Sequence, residues 1–255
     1  MDEEVKEFLR EASRNLRKAW EHRGDANKSK SYLMIAAELY ELALVSIFSR
    51  SRFTIEVFRK SVHLLHSIIP LIYYFTGDKL LAAILTTGLL IVFSAEESAR
   101  IRGVRTSFPG RRLFLLLYRQ EELLSLGAHI YILISSLAAI ILFDIEAVVP
   151  GVLAATVSDF SASLVGLKFG KHKLFEKKTV EGTIAGGLTC ATIVFFFNGL
   201  LPCVIATALF LLVETSELPV DDNLVYPLGL SAAITVGLQL SLIHISEPTR
   251  PRLIS

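Results

Sequence analysis

Cysteine is scarce in this sequence, which contains only Cys190 and Cys203. Both lie in apolar stretches, so they form neither a disulfide framework nor a metal-ligand spacing and are predicted to be thiols packed within a membrane. The chain also lacks G-x-x-x-x-G-K-[ST] and the kinase-type glycine loop, which excludes the common ATP-binding signatures. Its N-terminus, M-D-E-E-V-K-E, is acidic instead of basic and then apolar, so no cleavable signal is predicted.

Charge is also sparse: 20% of the residues are charged and 52% are hydrophobic, and the mean hydropathy is +0.53. That composition is too apolar for an ordinary soluble domain of 255 residues. It predicts an all-α, polytopic membrane protein. Several of the apolar runs are short for a hydrocarbon core of about 30 Å, so flanking residues would have to extend them. The seven runs are 62–76, 79–95, 127–143, 146–166, 183–198, 200–214 and 224–240.

The first 52 residues differ from the rest. Residues 2–22 and 28–48 carry apolar side chains at helical spacing, and Gly24-Asp25-Ala26-Asn27 between them forms a predicted turn. We therefore expect two amphipathic helices that form a cytoplasmic, soluble hairpin over residues 1–52. The hairpin would dock on the protein's own loops or, alternatively, recruit a protein partner. The membrane-embedded domain is predicted to cover 53–239.

The basic residues predict the orientation in the membrane. Of the 26 lysines and arginines, 12 precede the first run, six lie in the second loop and five in the fourth. The loops that would face away from the cytoplasm hold only Lys79. The positive-inside rule therefore places the N-terminus and the candidate site on the cytoplasmic side of a cell membrane, or of the endoplasmic reticulum in a eukaryote. The sixth loop, E-T-S-E-L-P-V-D-D-N, is acidic although it falls on that side, and a metal site would explain the departure.

The chemistry concentrates in residues 159–187, which we call the central segment. It carries Asp159 into an apolar run, passes Gly166 and Gly170, sheds five lysines and re-enters apolar sequence at Thr179, Glu181 and Gly182. A carboxylate at a helix end suits a divalent cation, and glycines and lysines suit phosphate oxygens. The alternative is a positively charged loop between two helices that cross at small residues.

Three further polar clusters lie at predicted cytoplasmic helix ends. The first could bind phosphates or anchor a helix at the headgroups, and the second could hold a metal or form a surface ion pair. The third could complete a magnesium site or form a helix N-cap. The clusters are Glu56, Arg59, Lys60 and His63; Glu96, Glu97 and Arg100; and Glu214, Asp221, Asp222 and Asn223.

The basic loop that follows Arg100 has an apolar centre, and it predicts an interfacial helix over anionic headgroups. Weaker site candidates are Arg119, Glu122 and His129.

Five motifs in this order resemble the CTP-dependent lipid kinases, the family of dolichol kinase, yeast-type diacylglycerol kinase and phytol kinase. The resemblance covers about 53–239. The central segment is shared more distantly with phosphatidate cytidylyltransferases and archaeal CDP-archaeol synthases. The motifs are R-K-S-V-H from Arg59, E-S-A-R from Glu97, D-F-S-A-S-L-V-G-L-K-F-G-K from Asp159, K-K-T-V-E-G-T from Lys177, and E-x7-D-N-x3-P from Glu214.

The resemblance implies that Asp159 binds a metal or orients the lipid hydroxyl and that the lysines hold the phosphates of CTP. The implied catalytic residues are Asp159, Lys178 and His63. The implied nucleotide or phosphate ligands are Arg59, Lys60, Gly166, Gly170, Lys171, Thr179, Glu181, Gly182 and Asn223. The implied metal ligands are Asp159, Asp222, Glu214 and Glu97.

The leading expectation is a membrane kinase that transfers the γ-phosphate of CTP to a long-chain lipid alcohol with Mg²⁺ or another divalent cation. The alcohol would be dolichol- or polyprenol-like, or phytol or diacylglycerol, and no nucleic acid is expected as a partner. One alternative is a cytidylyltransferase that makes a CDP-lipid. Another is a transporter or scaffold in which Asp159 serves ion passage.

The last 16 residues, 240–255, resemble the in-frame translation of a sequencing adapter, L-S-L-I-H-I-S-E-P-T-R-P-R-L-I-S. They are expected to be non-native, so His244 and Glu247 are not site candidates.

Overall fold

The computed structural model describes residues 3–49, 51–104, 126–175, 178–216 and 218–246. Over these residues the chain is helical and has no β-strand, which confirms the predicted all-α class. The helices are α1 Glu3–Glu21, α2 Ala26–Phe48, α3 Arg52–Leu65, α4 Ile68–Thr76, α5 Lys79–Ile101, α6 Ala128–Leu142, α7 Ile145–Phe169, α8 Val180–Asn198, α9 Leu200–Glu214 and α10 Asp222–Ser246.

The chain divides into two compact units, of residues 1–59 with 96–127 and of 60–95 with 128–255. In the first unit, α1 and α2 pack together around small side chains. Asp25 caps α2 by accepting a hydrogen bond from the Lys28 amide at 3.1 Å. The residues buried on the two helices are Val5, Ala12, Ala19, Ala36 and Ala43.

Helix α2 departs from the amphipathic pattern that was expected. The small Ala36 and Ala43 are its buried residues, whereas the larger Leu33, Met34 and Ile35 are exposed. Alanine leaves room for a close approach of α1, and the bulky residues remain on the other sides of α2. Apolar composition and burial are therefore separated in this helix.

The second unit is built around α7. This helix contributes to two buried apolar clusters, one with α8, α9 and α10 and the other with α4, α5 and α6. Phe210 and Ile234 lie in the first cluster, and Leu133 and Val148 lie in the second. A helix buried on most sides must be apolar throughout, as the sequence of α7 is.

Five of the described helices are long and apolar enough to cross a membrane: α2, α5, α7, α8 and most of α10. Apolar helices α6 and α9 have 15 residues each, which at 1.5 Å per residue is short of a bilayer core of about 30 Å. The predicted first run, 62–76, is divided between α3 and α4. The predicted number of seven spans is therefore not confirmed, although five such helices support membrane association.

Candidate functional site: a carboxylate–lysine cluster

The central segment forms the end of α7, a loop and the start of α8. A Cβ atom on Gly182 would come within 2.6 Å of the Ala162 carbonyl, and one on Gly166 within 2.9 Å of Thr179 Oγ1. The sequence has glycine here because the helices cross too closely for a side chain. The packing interpretation of these glycines is thus supported, and their contact with phosphate, like that of Gly170, stays a prediction.

Thr179 and Glu181 organise the loop before α8. The Thr179 hydroxyl caps the helix by accepting a hydrogen bond from the Gly182 amide at 3.2 Å. Glu181 Oε1 lies 2.7 Å from His172 Nδ1, and both its oxygens accept from the His172 amide at 3.3 Å. Lys171 beside them is exposed and is therefore available to an anion from solution.

Asp159 forms an ion pair with Lys60. The two residues are 99 positions apart in the sequence, and α3 and α7 bring them together within the second unit. The side chain of Asp159 keeps 18% of its surface exposed and that of Lys60 keeps 10%. The carboxylate is consequently paired but still reachable.

Lys178 lies between two further carboxylates. Its Nζ is 2.8 Å from Asp222 Oδ2 and 3.5 Å from Glu214 Oε2. The Tyr226 hydroxyl donates to the other oxygen of Glu214 at 2.5 Å. Glu214 is 5% exposed, and a buried carboxylate of this kind needs such partners because desolvation otherwise destabilises its charge.

These two groups form one constellation. Asp159 and Asp222 both lie close enough to act electrostatically on Glu214 and Tyr226. We call Lys60, Asp159, Lys178, Glu214 and Asp222 the carboxylate–lysine cluster. Three negative and two positive groups leave it one negative charge. Five residues from four separate parts of the sequence therefore converge at one place.

Tyr226 was not predicted as a site residue. It follows Asp222 by four positions, a spacing that puts both on one face of α10. That spacing was the available signal, although a tyrosine near the end of an apolar run more often anchors a helix at the headgroups.

The acidic sixth loop serves two purposes. Asp221 Oδ1 accepts from the Asn223 amide at 2.9 Å and from Asn223 Nδ2 at 2.7 Å. Asp221 therefore caps the first turn of α10, as one interpretation of this loop predicted. Asp222 instead points its charge at Lys178. Asn223 is occupied by the cap, and its contact with a nucleotide stays a prediction.

Other predicted site residues lie in the first unit. Arg59 pairs with Glu56 at 2.5 Å. Glu97 receives two hydrogen bonds of 3.0 Å from Arg100 and one from the Gly127 amide. Both Glu97 oxygens thus hold protein groups, as in the ion-pair interpretation, and its role as a metal ligand stays a prediction.

Two predicted histidines lie in the second unit. His63 is buried on α3, and the ring of His129 packs edge-on against Phe93 with 5.4 Å between ring centroids. Arg119, Glu122, Lys177 and the predicted interfacial helix lie outside the described residues.

The donor chemistry of the cluster suits a magnesium ion, since Mg²⁺ prefers carboxylate oxygens. In the described parts of the chain, no three His, Cys, Asp or Glu side chains are arranged to share a metal. The ammonium groups of Lys60 and Lys178 neutralise the carboxylates of the cluster in this arrangement. A cation at Asp159, Glu214 and Asp222 is therefore a prediction that the residue types fit.

The chain is similar to an uncharacterized protein of Methanocaldococcus jannaschii, with 29% identity over 175 residues. The alignment covers 68% of this chain and 88% of the archaeal protein. No model of a protein family matches the chain, and no solved structure matches it. Similarity to an uncharacterized archaeal protein carries no activity with it, so the function must be argued from the cluster.

Proposed function

We propose that this protein is an integral membrane kinase that transfers the γ-phosphate of CTP to the hydroxyl group of a long-chain lipid alcohol. The observation that carries the proposal is the convergence of Lys178, Asp159 and the Glu214–Asp222 pair in one cluster. These residues belong to three of the motifs that resemble the lipid kinases. Independent structural roles would not require them to meet.

Lysine and carboxylate groups have distinct tasks in this proposal. Lys178 and the exposed Lys171 would hold phosphate oxygens as point charges. Asp159, kept ionised by Lys60, would accept a hydrogen bond from the lipid hydroxyl and orient its oxygen toward the phosphorus. A magnesium ion bound by the carboxylates would neutralise charge on the phosphates. Positioning and charge neutralisation then supply most of the rate.

The apolar helices supply the setting. A lipid alcohol reaches its enzyme from the bilayer, whereas CTP comes from water, so the site must lie near a membrane surface. Asp159 and Lys178 lie toward the ends of the apolar helices α7 and α8. The positive-inside pattern places that surface on the cytoplasmic side.

The proposal can be tested with the full chain in lipid nanodiscs. CTP, ATP, GTP and UTP are each combined with polyprenol, phytol, diacylglycerol and phosphatidic acid in the presence of Mg²⁺. We expect CDP and a phosphorylated alcohol from CTP. Pyrophosphate release with phosphatidic acid would favour the cytidylyltransferase instead, and no turnover with any pair would favour a transporter or scaffold.

Variants connect the activity to the cluster. Asp159→Asn and Lys178→Met are expected to lower kcat/KM by about 10²–10³, the usual loss when one electrostatic contact to the transition state is removed. Lys79→Met is the matched control, because Lys79 is exposed and donates only to the Phe143 carbonyl at 3.2 Å. Wild-type turnover by the Asp159→Asn protein would refute the assigned role of that carboxylate.

A further inference from the structure

A small cavity lies in the second unit between α4, α6 and α7, apart from the carboxylate–lysine cluster. Its volume is about 10 Å³, and its walls are mostly aliphatic side chains such as Leu133, Ile140 and Val152. Two polar side chains, His66 and Ser136, also line it. Polar groups in an apolar wall are unusual because each one loses its hydrogen bonds to water on burial.

Both polar side chains direct an unsatisfied atom into this region. His66 is 8% exposed and Ser136 is 5% exposed. Neither His66 Nε2 nor Ser136 Oγ has a hydrogen-bond partner in the protein. His66 Nδ1 lies 3.1 Å from the His63 carbonyl, and a carbonyl can only accept. The proton of the neutral ring is therefore on Nδ1, and Nε2 is an acceptor without a donor.

We infer that the cavity binds one water molecule, which donates a hydrogen bond to His66 Nε2 and accepts one from the Ser136 hydroxyl. A single water needs a cavity of roughly 10–15 Å³ and two or more polar partners. The cavity meets both conditions at their lower limits. Its size excludes any larger ligand, and one imidazole with one hydroxyl is too small a donor set for a metal ion.

The position of this water explains a feature that the sequence did not predict. His66 and Ser67 separate α3 from α4, in a stretch that was expected to be one apolar run. Ser67 is bonded to Thr156 of α7 through their hydroxyls at 2.6 Å. Interrupted helices within a membrane are tolerated where they are buried in protein or line a hydrated cavity. The water would tie the interruption to α6, as the hydroxyl pair ties it to α7.

Water-edited solid-state NMR on the full chain in lipid bilayers tests the inference directly. Magnetisation from water should reach the ring of His66 sooner than it reaches Val194, which is 0% exposed in the other apolar cluster of this unit. The Nε2 resonance should also carry the shift of a hydrogen-bonded, unprotonated nitrogen. If His66 receives magnetisation no sooner than Val194 does, the cavity is dry and the inference is wrong.

A pair of variants identifies the partner of the water. Ser136→Val removes the hydroxyl and fills the space, so the early transfer to His66 should be lost. Thr86→Val is the matched control, since the buried Thr86 hydroxyl donates to its own helix at Ala82 over 2.7 Å. Its transfer to His66 should equal that of the wild type. Unchanged transfer in folded Ser136→Val protein would overturn the assigned site. The wild-type measurement decides the matter if that variant does not fold.

Discussion

Helices α2 and α7 have similar lengths, 23 and 25 residues, and both are apolar enough to cross a membrane. Their surroundings differ. In α7, 61% of the most apolar stretch is buried in the protein, whereas in α2 only 11% is buried. The same kind of sequence therefore forms the centre of one unit and a largely exposed helix in the other. Apolar composition states what a helix can do in a bilayer but does not state what covers it.

The partner helix decides between these outcomes. Helix α1, which packs along α2, carries ten charged residues. A charged side chain at the centre of a bilayer costs about 2.5–3.5 kcal/mol on insertion scales. As long as the hairpin is closed, α2 cannot cross the hydrocarbon without carrying the charges of α1 with it. The contact between the two helices thus favours the predicted placement of the hairpin outside the bilayer core.

The largest expected effect comes from the packing of α7. In Gly151→Ala, the new Cβ atom would lie 2.8 Å from the Ser231 amide nitrogen, so α7 and α10 must separate. The loss of unfolding free energy should lie at the upper end of roughly 1–3 kcal/mol, the usual cost of overpacking. Thermal unfolding in detergent, followed by circular dichroism, measures it.

Gly88→Ala is the matched control on α5. A Cβ atom there would meet nothing within 4 Å. Alanine favours helix over glycine by roughly 0.5–1 kcal/mol, so this variant should be neutral or slightly more stable. Equal destabilisation by the two substitutions would show that general helix effects, and not the crossing of α7 with α10, control stability.

A smaller effect is expected in the hairpin. Ala36 is 0% exposed between α1 and α2, and Ala36→Leu would push them apart. The helices of a hairpin can separate more easily than those of a bundle, so the cost should lie at the lower end of roughly 1–3 kcal/mol. Faster protease cleavage between α1 and α2 and a change in the fluorescence of Trp20, the single tryptophan, would report it.

Ala37→Leu provides the control for the hairpin because Ala37 is exposed. We expect wild-type cleavage rates and fluorescence from it. Turnover by the carboxylate–lysine cluster should be normal in both proteins. If Ala36→Leu abolished CTP turnover while the helices of the second unit stayed folded, the hairpin would have a part in catalysis.

The smallest effect compares two helix caps of the same geometry. Thr179 caps α8 and Asp25 caps α2, each by accepting from the backbone amide three residues later. Replacing either with alanine should cost about 1 kcal/mol, as for other N-caps. Only Thr179→Ala should also raise the KM for CTP, whereas Thr179→Ser should restore both properties. An equal rise in KM for Asp25→Ala would remove Thr179 from the nucleotide site.

Much of the helical framework was predictable. The run predicted at 200–214 coincides with α9, and the run at 146–166 lies within α7. These predictions succeeded because an uninterrupted apolar stretch determines a helix locally. The run at 62–76 failed, since its composition does not reveal the interruption at His66 and Ser67. That interruption depends on partners such as Thr156, 89 residues away from Ser67.

The candidate site was predictable as a set of residues but not as a set of contacts. Motif order indicated Asp159, Lys178, Glu214 and Asp222. It did not indicate that Lys178 would join two of the carboxylates, or that Tyr226 would hold Glu214 in place. Which oxygen each ammonium group meets depends on how the helices cross, and no local pattern encodes a crossing.

By itself, the sequence determined the helical class, the membrane association and the residue types available for chemistry, because hydropathy and helix signals are local. The tertiary structure alone decided which apolar helix is covered by protein and which charges neutralise one another. The physical reason is that both depend on contacts between distant segments, as between Lys60 and Asp159. Such contacts form only when the helices pack, and close packing at residues such as Gly182 fixes where they form.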